Sequence, residues 1–97
     1  MRHFHRTQLS PAEVLRIADE FFPSIALTSL SAPDRERIFE GTLGRLSLSA
    51  RPEGGHYTFV EAETDQTGES RLDRNVKRFF VKIHRASDPA HRLSAAY

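Results

Sequence analysis

Cysteine is absent from the 97 residues of this chain, which excludes a disulfide framework and metal sites built from thiolates. No apolar run approaches the roughly 20 residues that a membrane-spanning helix needs. The first six residues include two arginines but no apolar segment follows them, so we expect no signal peptide. These absences are typical of a protein of the reducing cytoplasm, which is the location we predict.

Neither sign of charge dominates, because 14 Lys and Arg residues oppose 13 Asp and Glu residues, for a net charge of +1. Overall charge therefore gives no argument for nucleic acid as a partner. The local distribution of charge is less even. Residues 53–69 include acidic side chains but no Lys or Arg, whereas most of the charged side chains in residues 71–92 are basic. We expect these two segments to lie close together and to neutralise each other.

Sequence motifs for catalysis, metal binding and nucleotide binding are also lacking. Residues 41–44 (Gly-Thr-Leu-Gly) miss the Gly-Lys-Ser/Thr ending of a phosphate-binding loop. His3 and His5 would share one face of a strand, but a metal site needs further ligands that the sequence does not identify. Glu61 and Glu63 would act as an acid–base pair only in a desolvated pocket. We therefore predict no catalytic residue, no metal and no cofactor, and we favour a function other than catalysis.

The clearest helix pattern covers residues 11–22. Ser10 supplies an N-cap, Pro11 suits the first helical position, and Glu13 is spaced to complete a capping box. Pro23 is expected to end the helix, because the residue before a proline disfavours helical geometry. An apolar face along this helix is formed by Val14, Ile17, Ala18 and Phe21.

The middle of the chain follows the two-residue period of β-strands. Strands are predicted at 25–30, 37–43, 45–51 and 56–64, joined by the short connections of an antiparallel meander. The buried face of the last of these strands is left open. Residues 1–8 also leave two alternatives, a first strand or a frayed tail.

A second helix is predicted at 69–85, with Thr67 as its cap and with 86–97 as a terminal tail. At helical spacing it carries an apolar stripe of Leu72, Val76, Phe79, Phe80 and Ile83. A second stripe points away from the first and is called the cationic stripe below; it consists of Arg71, Arg74, Arg78, Lys82 and Arg85. The pattern indicates a helix that lies across a sheet with its basic side exposed.

These elements predict one α+β domain over residues 1–97. Residues 86–97 are expected to form a frayed tail, and so are residues 1–7 if they do not form a first strand. The architecture expected is a two-layer sandwich, in which an N-terminal helix and a long C-terminal helix cover an antiparallel sheet of four to five strands. The order of elements resembles the helix-grip, or START-like, superfamily of lipid carriers and polyketide cyclases. Residues 9–14 (Leu-Ser-Pro-Ala-Glu-Val) are similar to the phrase that begins that family's first helix.

The resemblance implies a minimal helix-grip domain with an apolar ligand between the last helix and the sheet. The residues expected to face this ligand are Phe79, Phe80, Ile83, Leu46 and Leu48.

Three functions remain open at this point. The first, and the one we favour, is a small binding or interaction module that holds an apolar ligand or forms a homodimer. The second is binding of nucleic acid or another anionic partner through the cationic stripe, whose spacing suits a phosphate backbone. We expect the acidic segment to neutralise the stripe, so nucleic acid ranks lower, and we expect no membrane partner. An enzyme with an unrecognised acid–base pair ranks third.

Overall fold

The structure is a computed structural model and describes residues 1–87. Within this range the elements follow in the order β1 (Arg2–Thr7), α1 (Pro11–Ser24), β2 (Thr28–Leu30), β3 (Glu36–Gly41), β4 (Gly44–Glu53), β5 (Tyr57–Thr64) and α2 (Arg71–Ser87). The predicted α+β class, with one antiparallel sheet and two helices, is confirmed. Of the tail predicted at 86–97, the first two residues belong to α2 and the others lie outside the described residues.

The sheet has the strand order β1-β5-β4-β3-β2, and every neighbouring pair is antiparallel. β1 pairs with β5 from Arg2 opposite Glu63 to Thr7 opposite Thr58, so the start of the chain is an edge strand and not a frayed tail. Both helices pack on the same side of the sheet, α1 over β2, β3 and β4, and α2 over β1 and β5. The opposite side, called the open face below, is not covered by any of the described residues.

The core lies between the helices and the sheet. At its centre the rings of Phe22 and Phe39 are 5.0 Å apart, and those of Phe22 and Phe79 are also 5.0 Å apart. All three side chains are fully buried. The buried face of β5, which the sequence left open, carries Thr58, Val60, Ala62 and Thr64.

α1 begins as predicted but ends two residues later. Ser10 is its N-cap and accepts a hydrogen bond from the Glu13 backbone N–H at 3.2 Å. At the other end the helix includes Pro23 and extends to Ser24, so the predicted end at 22 is wrong. The backbone N–H groups of residues 25–27 then fold back onto the carbonyls of residues 22 and 23 and close the last turn of the helix.

That turn also shortens the following strand. β2 begins only at Thr28, not at residue 25 as predicted, because residues 25–27 form the turn, with Ala26 at a φ of 68°. The other three strands of the meander match their predicted bounds to within two residues at each end.

The cap predicted for α2 is wrong by three residues. Ser70, rather than Thr67, precedes the helix. Its Oγ accepts a hydrogen bond from the Asp73 backbone N–H at 3.1 Å, and its carbonyl accepts one from the Arg74 backbone N–H at 3.0 Å. α2 therefore begins at Arg71.

Candidate functional site

The residues predicted to face an apolar ligand are mostly sealed in the core. Phe79, Ile83 and Leu46 are fully buried, and Leu48 is 2% exposed. A ligand between α2 and the sheet would have to displace contacts that these side chains already make. Their role as ligand contacts stays a prediction.

The fifth of these residues, Phe80, is only partly buried and borders a cleft of about 450 Å³ at the β1 side of α2. Its ring stacks on that of His5 at 5.0 Å, and Val81, His84 and Arg85 complete the lining. The His5 Nε2 atom is buried without a hydrogen-bond partner among the described residues. Burial, and secondarily the nearby His84, lower the pKa of His5, so its imidazole is neutral at pH 7. The cleft therefore offers aromatic surface and one neutral polar ring.

The cationic stripe lies on the exposed side of α2, as predicted, and all five of its members are exposed. Within the described part of the chain, none of them takes part in an ion pair. Arg78 is the most constrained, because it lies over the Phe21 ring at 5.7 Å and donates to Asn75 Oδ1 at 2.9 Å.

The expected neutralisation of this stripe by the acidic segment is confined to Glu69, and the other acidic side chains lie away from the stripe. The strand register puts Glu61 and Glu63 on the open face, on the far side of the sheet from α2. Asp65 accepts the Arg45 backbone N–H at 2.9 Å, at the end of β4. Glu69 does reach α2, where its hydrogen bond with Lys77 and, secondarily, the charge of Arg74 lower the pKa of its carboxyl.

A buried carboxylate, which the sequence analysis missed, joins α2 to β1 and β5. Asp73 is fully buried, and its Oδ1 accepts hydrogen bonds from His3 Nε2 at 2.8 Å and Thr64 Oγ1 at 2.9 Å. Its Oδ2 accepts from Ser70 Oγ at 2.6 Å. Ser70-x-x-Asp73 matches the capping pattern of Ser or Thr followed three residues later by an acid, and that pattern was the available signal.

The electrostatics of this cluster favour the charged carboxylate. Burial raises the pKa of Asp73, but hydrogen bonds from Ser70, His3 and Thr64 outweigh it and lower that pKa to about 2. The carboxylate is thus ionised at neutral pH and accepts hydrogen bonds from three side chains. Asp73 links the edge strand β1 to the start of α2, so its role is structural.

One end of the open face carries aromatic and cationic side chains. Phe59 on β5 is flanked by Arg6 on β1 and Arg51 on β4, whose guanidinium carbons lie 5.0 Å and 4.8 Å from its ring centre. Phe4 stacks on the same ring at 5.5 Å. We call these four residues the aromatic cluster. Phe59 is only 8% exposed beneath its neighbours, whereas Phe4 is 53% exposed.

Beside the aromatic cluster the open face has a depression of about 150 Å³. Its floor is formed by the small side chains of Ser47 and Ser49 on β4. Its rim consists of Glu36, Glu61 and Glu63, and we therefore call it the acidic hollow. Glu63 pairs with Arg2 at 3.2 Å and its side chain is 56% exposed. Glu61 and Glu63 share the open face, but the depression leaves Glu63 exposed and paired with Arg2, so an acid–base pair gains no support.

No protein-family model matches this chain, and no curated protein matches it in sequence. The helix-grip resemblance therefore stays a prediction. Among the described residues, no helix is long and apolar enough to cross a membrane. The same residues contain no group of three or more His, Cys, Asp or Glu side chains arranged to hold a metal ion.

Proposed function

We propose that this chain is a small interaction module that forms a homodimer through the open face of its sheet. The observation that carries the proposal is the pairing of two unlike features on that face. The aromatic cluster exposes Phe4, which stacks on a Phe59 ring flanked by two arginines, and the acidic hollow beside it offers small floor residues and a carboxylate rim. The arginines of the cluster are complementary in charge to the carboxylate rim of the hollow.

A two-fold axis brings such features together twice, because an isologous interface pairs each patch with its counterpart on the other copy. With the axis between the cluster and the hollow, Phe4 of each copy enters the hollow of the other. Arg51 of each copy then lies against Glu61 of the other. Both side chains lack an ion-pair partner among the described residues of a single copy.

The size of the face sets the expected strength of the dimer. Five strands spaced about 4.8 Å apart and averaging about 22 Å in length give each copy a face of roughly 450–500 Å². Two such faces bury roughly 1,000 Å², near the lower limit for a specific interface. We therefore expect a reversible dimer of micromolar affinity, with much of its specificity from charge.

Charge reversal provides the decisive test. Arg51→Glu leaves two carboxylates where the copies meet, and Glu61→Arg leaves two cations, so each variant alone is expected to be monomeric. A mixture of the two variants restores both opposite-charge contacts and is expected to form the heterodimer, which native mass spectrometry identifies by mass. An effect on folding within one copy would not be repaired by mixing. A mixture that stays monomeric, or a wild-type chain that is monomeric at high micromolar concentration, would overturn the proposal.

A pair of matched truncations tests the apolar part of the interface. Phe4→Ala is expected to weaken the dimer by at least tenfold, because Phe4 loses its contacts with the hollow. Val81→Ala is the control, because Val81 is 48% exposed but lies on α2, on the other side of the sheet. Equal effects of the two changes in sedimentation equilibrium would argue against the open face as the interface.

A further inference from the structure

We infer that the cationic stripe of α2 binds the phosphate backbone of a nucleic acid duplex. This inference concerns the helical side of the molecule, does not depend on dimerisation, and reverses the ranking that the sequence favoured. The reversal follows from where the structure puts the carboxylates that were expected to neutralise the stripe.

The stripe is long and purely basic. From Arg71 to Arg85 it spans fourteen helical steps, or about 21 Å. Between Arg71 and Ser87 the one carboxylate belongs to Asp73, which is fully buried and held by three side chains. α2 itself therefore contributes no exposed negative side chain, and the carboxylate of Glu69, which reaches its start from the preceding loop, pairs with Lys77. Four of the five members are arginines, whose planar guanidinium groups bind phosphate oxygens in a bidentate manner.

Two acidic residues of the neighbouring segment lie on the far side of the sheet from α2, which favours one orientation of the molecule toward a polyanion. Glu61 and Glu63, together with Glu36, lie on the open face, across the sheet from α2. A duplex approaching α2 meets the cations at contact distance and these carboxylates only through the thickness of the domain. At physiological salt, charges that far away are largely screened.

Nucleic acid fits this surface better than an anionic membrane does. A helix that lies on a membrane inserts an apolar side among the lipid chains. The apolar stripe of α2 is instead used in the core, where Leu72, Val76, Phe79 and Ile83 are fully buried. Among the described residues of α2, Val81 is the one large apolar side chain that is exposed. A single valine gives the helix little to insert into a membrane.

Salt dependence of binding is the measurement that tests this inference. Fluorescence anisotropy with a random-sequence duplex of about 20 base pairs is expected to give micromolar binding near 50 mM salt. If four members of the stripe contact phosphates, log K falls with a slope of about −3.6, which weakens binding about 150-fold between 50 and 200 mM salt. Arg74→Ala and Lys82→Ala are each expected to make the slope shallower by about 0.9, while Arg74→Lys keeps it.

The control removes the same charge from the opposite side of the molecule. Arg2→Ala deletes an exposed arginine of the open face and is expected to leave the slope unchanged. No binding near 50 mM salt, or equal losses from Arg2→Ala and Arg74→Ala, would overturn the inference. Stronger binding to phosphatidylserine vesicles than to the duplex, weakened by the same stripe variants, would also overturn it in favour of a membrane surface.

Discussion

Asparagine in place of Asp73 keeps the size of the side chain and removes one buried charge, so it isolates what the carboxylate contributes to stability. The pKa of this group falls from 3.8 to about 2 on folding. A shift of that size corresponds to about 2 kcal/mol of folding free energy at neutral pH. Because the folded-state pKa is the lower one, the contribution is fully present above pH 3.8 and is lost as the pH falls through about 2.

Urea unfolding of the wild-type chain and Asp73→Asn at two pH values measures this contribution. At pH 7 we expect the variant to be less stable by about 2 kcal/mol, and near pH 2.5 the difference should shrink to under about 1 kcal/mol. All other carboxylates titrate in both proteins, so their effects cancel in the difference. The exposed Asp34 supplies the control, since Asp34→Asn should change stability by under about 0.5 kcal/mol at pH 7. A difference for Asp73→Asn that is equal at both pH values would refute the role assigned to the charged carboxylate.

Two further comparisons test the packing and capping of the helices by the same unfolding assay. Phe79→Ala should cost about 3–5 kcal/mol because its ring is fully buried, Phe80→Ala about half as much because its ring borders the cleft, and Val81→Ala under about 1 kcal/mol. Equal losses at the three positions would contradict this packing of α2. Ser10→Ala should cost about 1 kcal/mol through the lost N-cap. Ser70→Ala should cost about 2 kcal/mol, because it removes a cap and a hydrogen bond to a buried charge; a smaller loss than for Ser10→Ala would contradict the buried cluster.

Local patterns were sufficient for the fold class and for most element bounds. The alternation of Leu46, Leu48 and Ala50 is visible in the sequence because one face of β4 lies against the helices. The failures occurred where the backbone conformation of single residues decided the outcome. Ala26 adopts a positive φ of 68°, which an alanine rarely does, so no propensity rule would have ended the strand prediction there.

The candidate surfaces were harder to predict because they depend on contacts between distant segments. Phe4 and Phe59 meet only through the pairing of the first strand with the last. Asp73 lies between cations in the sequence, and no apolar pattern marks it as buried. Its burial follows from the packing of β1 against α2, where His3 covers it. Tertiary contacts of this kind leave no periodic signal along the chain.

The placement of α2 and the open face on opposite sides of one sheet has a consequence for valency. With layers stacked about 10 Å apart, a dimer joined through its sheets would hold its two α2 helices about 30 Å apart, with their cationic stripes facing in opposite directions. Two stripes arranged in this way cannot grip the same stretch of duplex. Such a dimer would instead join two separate stretches, whereas a copy kept monomeric by Arg51→Glu would coat a duplex without joining it to another. Bridging of duplexes would then depend on protein concentration through the dimer equilibrium, even where the affinity of each stripe for phosphate is unchanged.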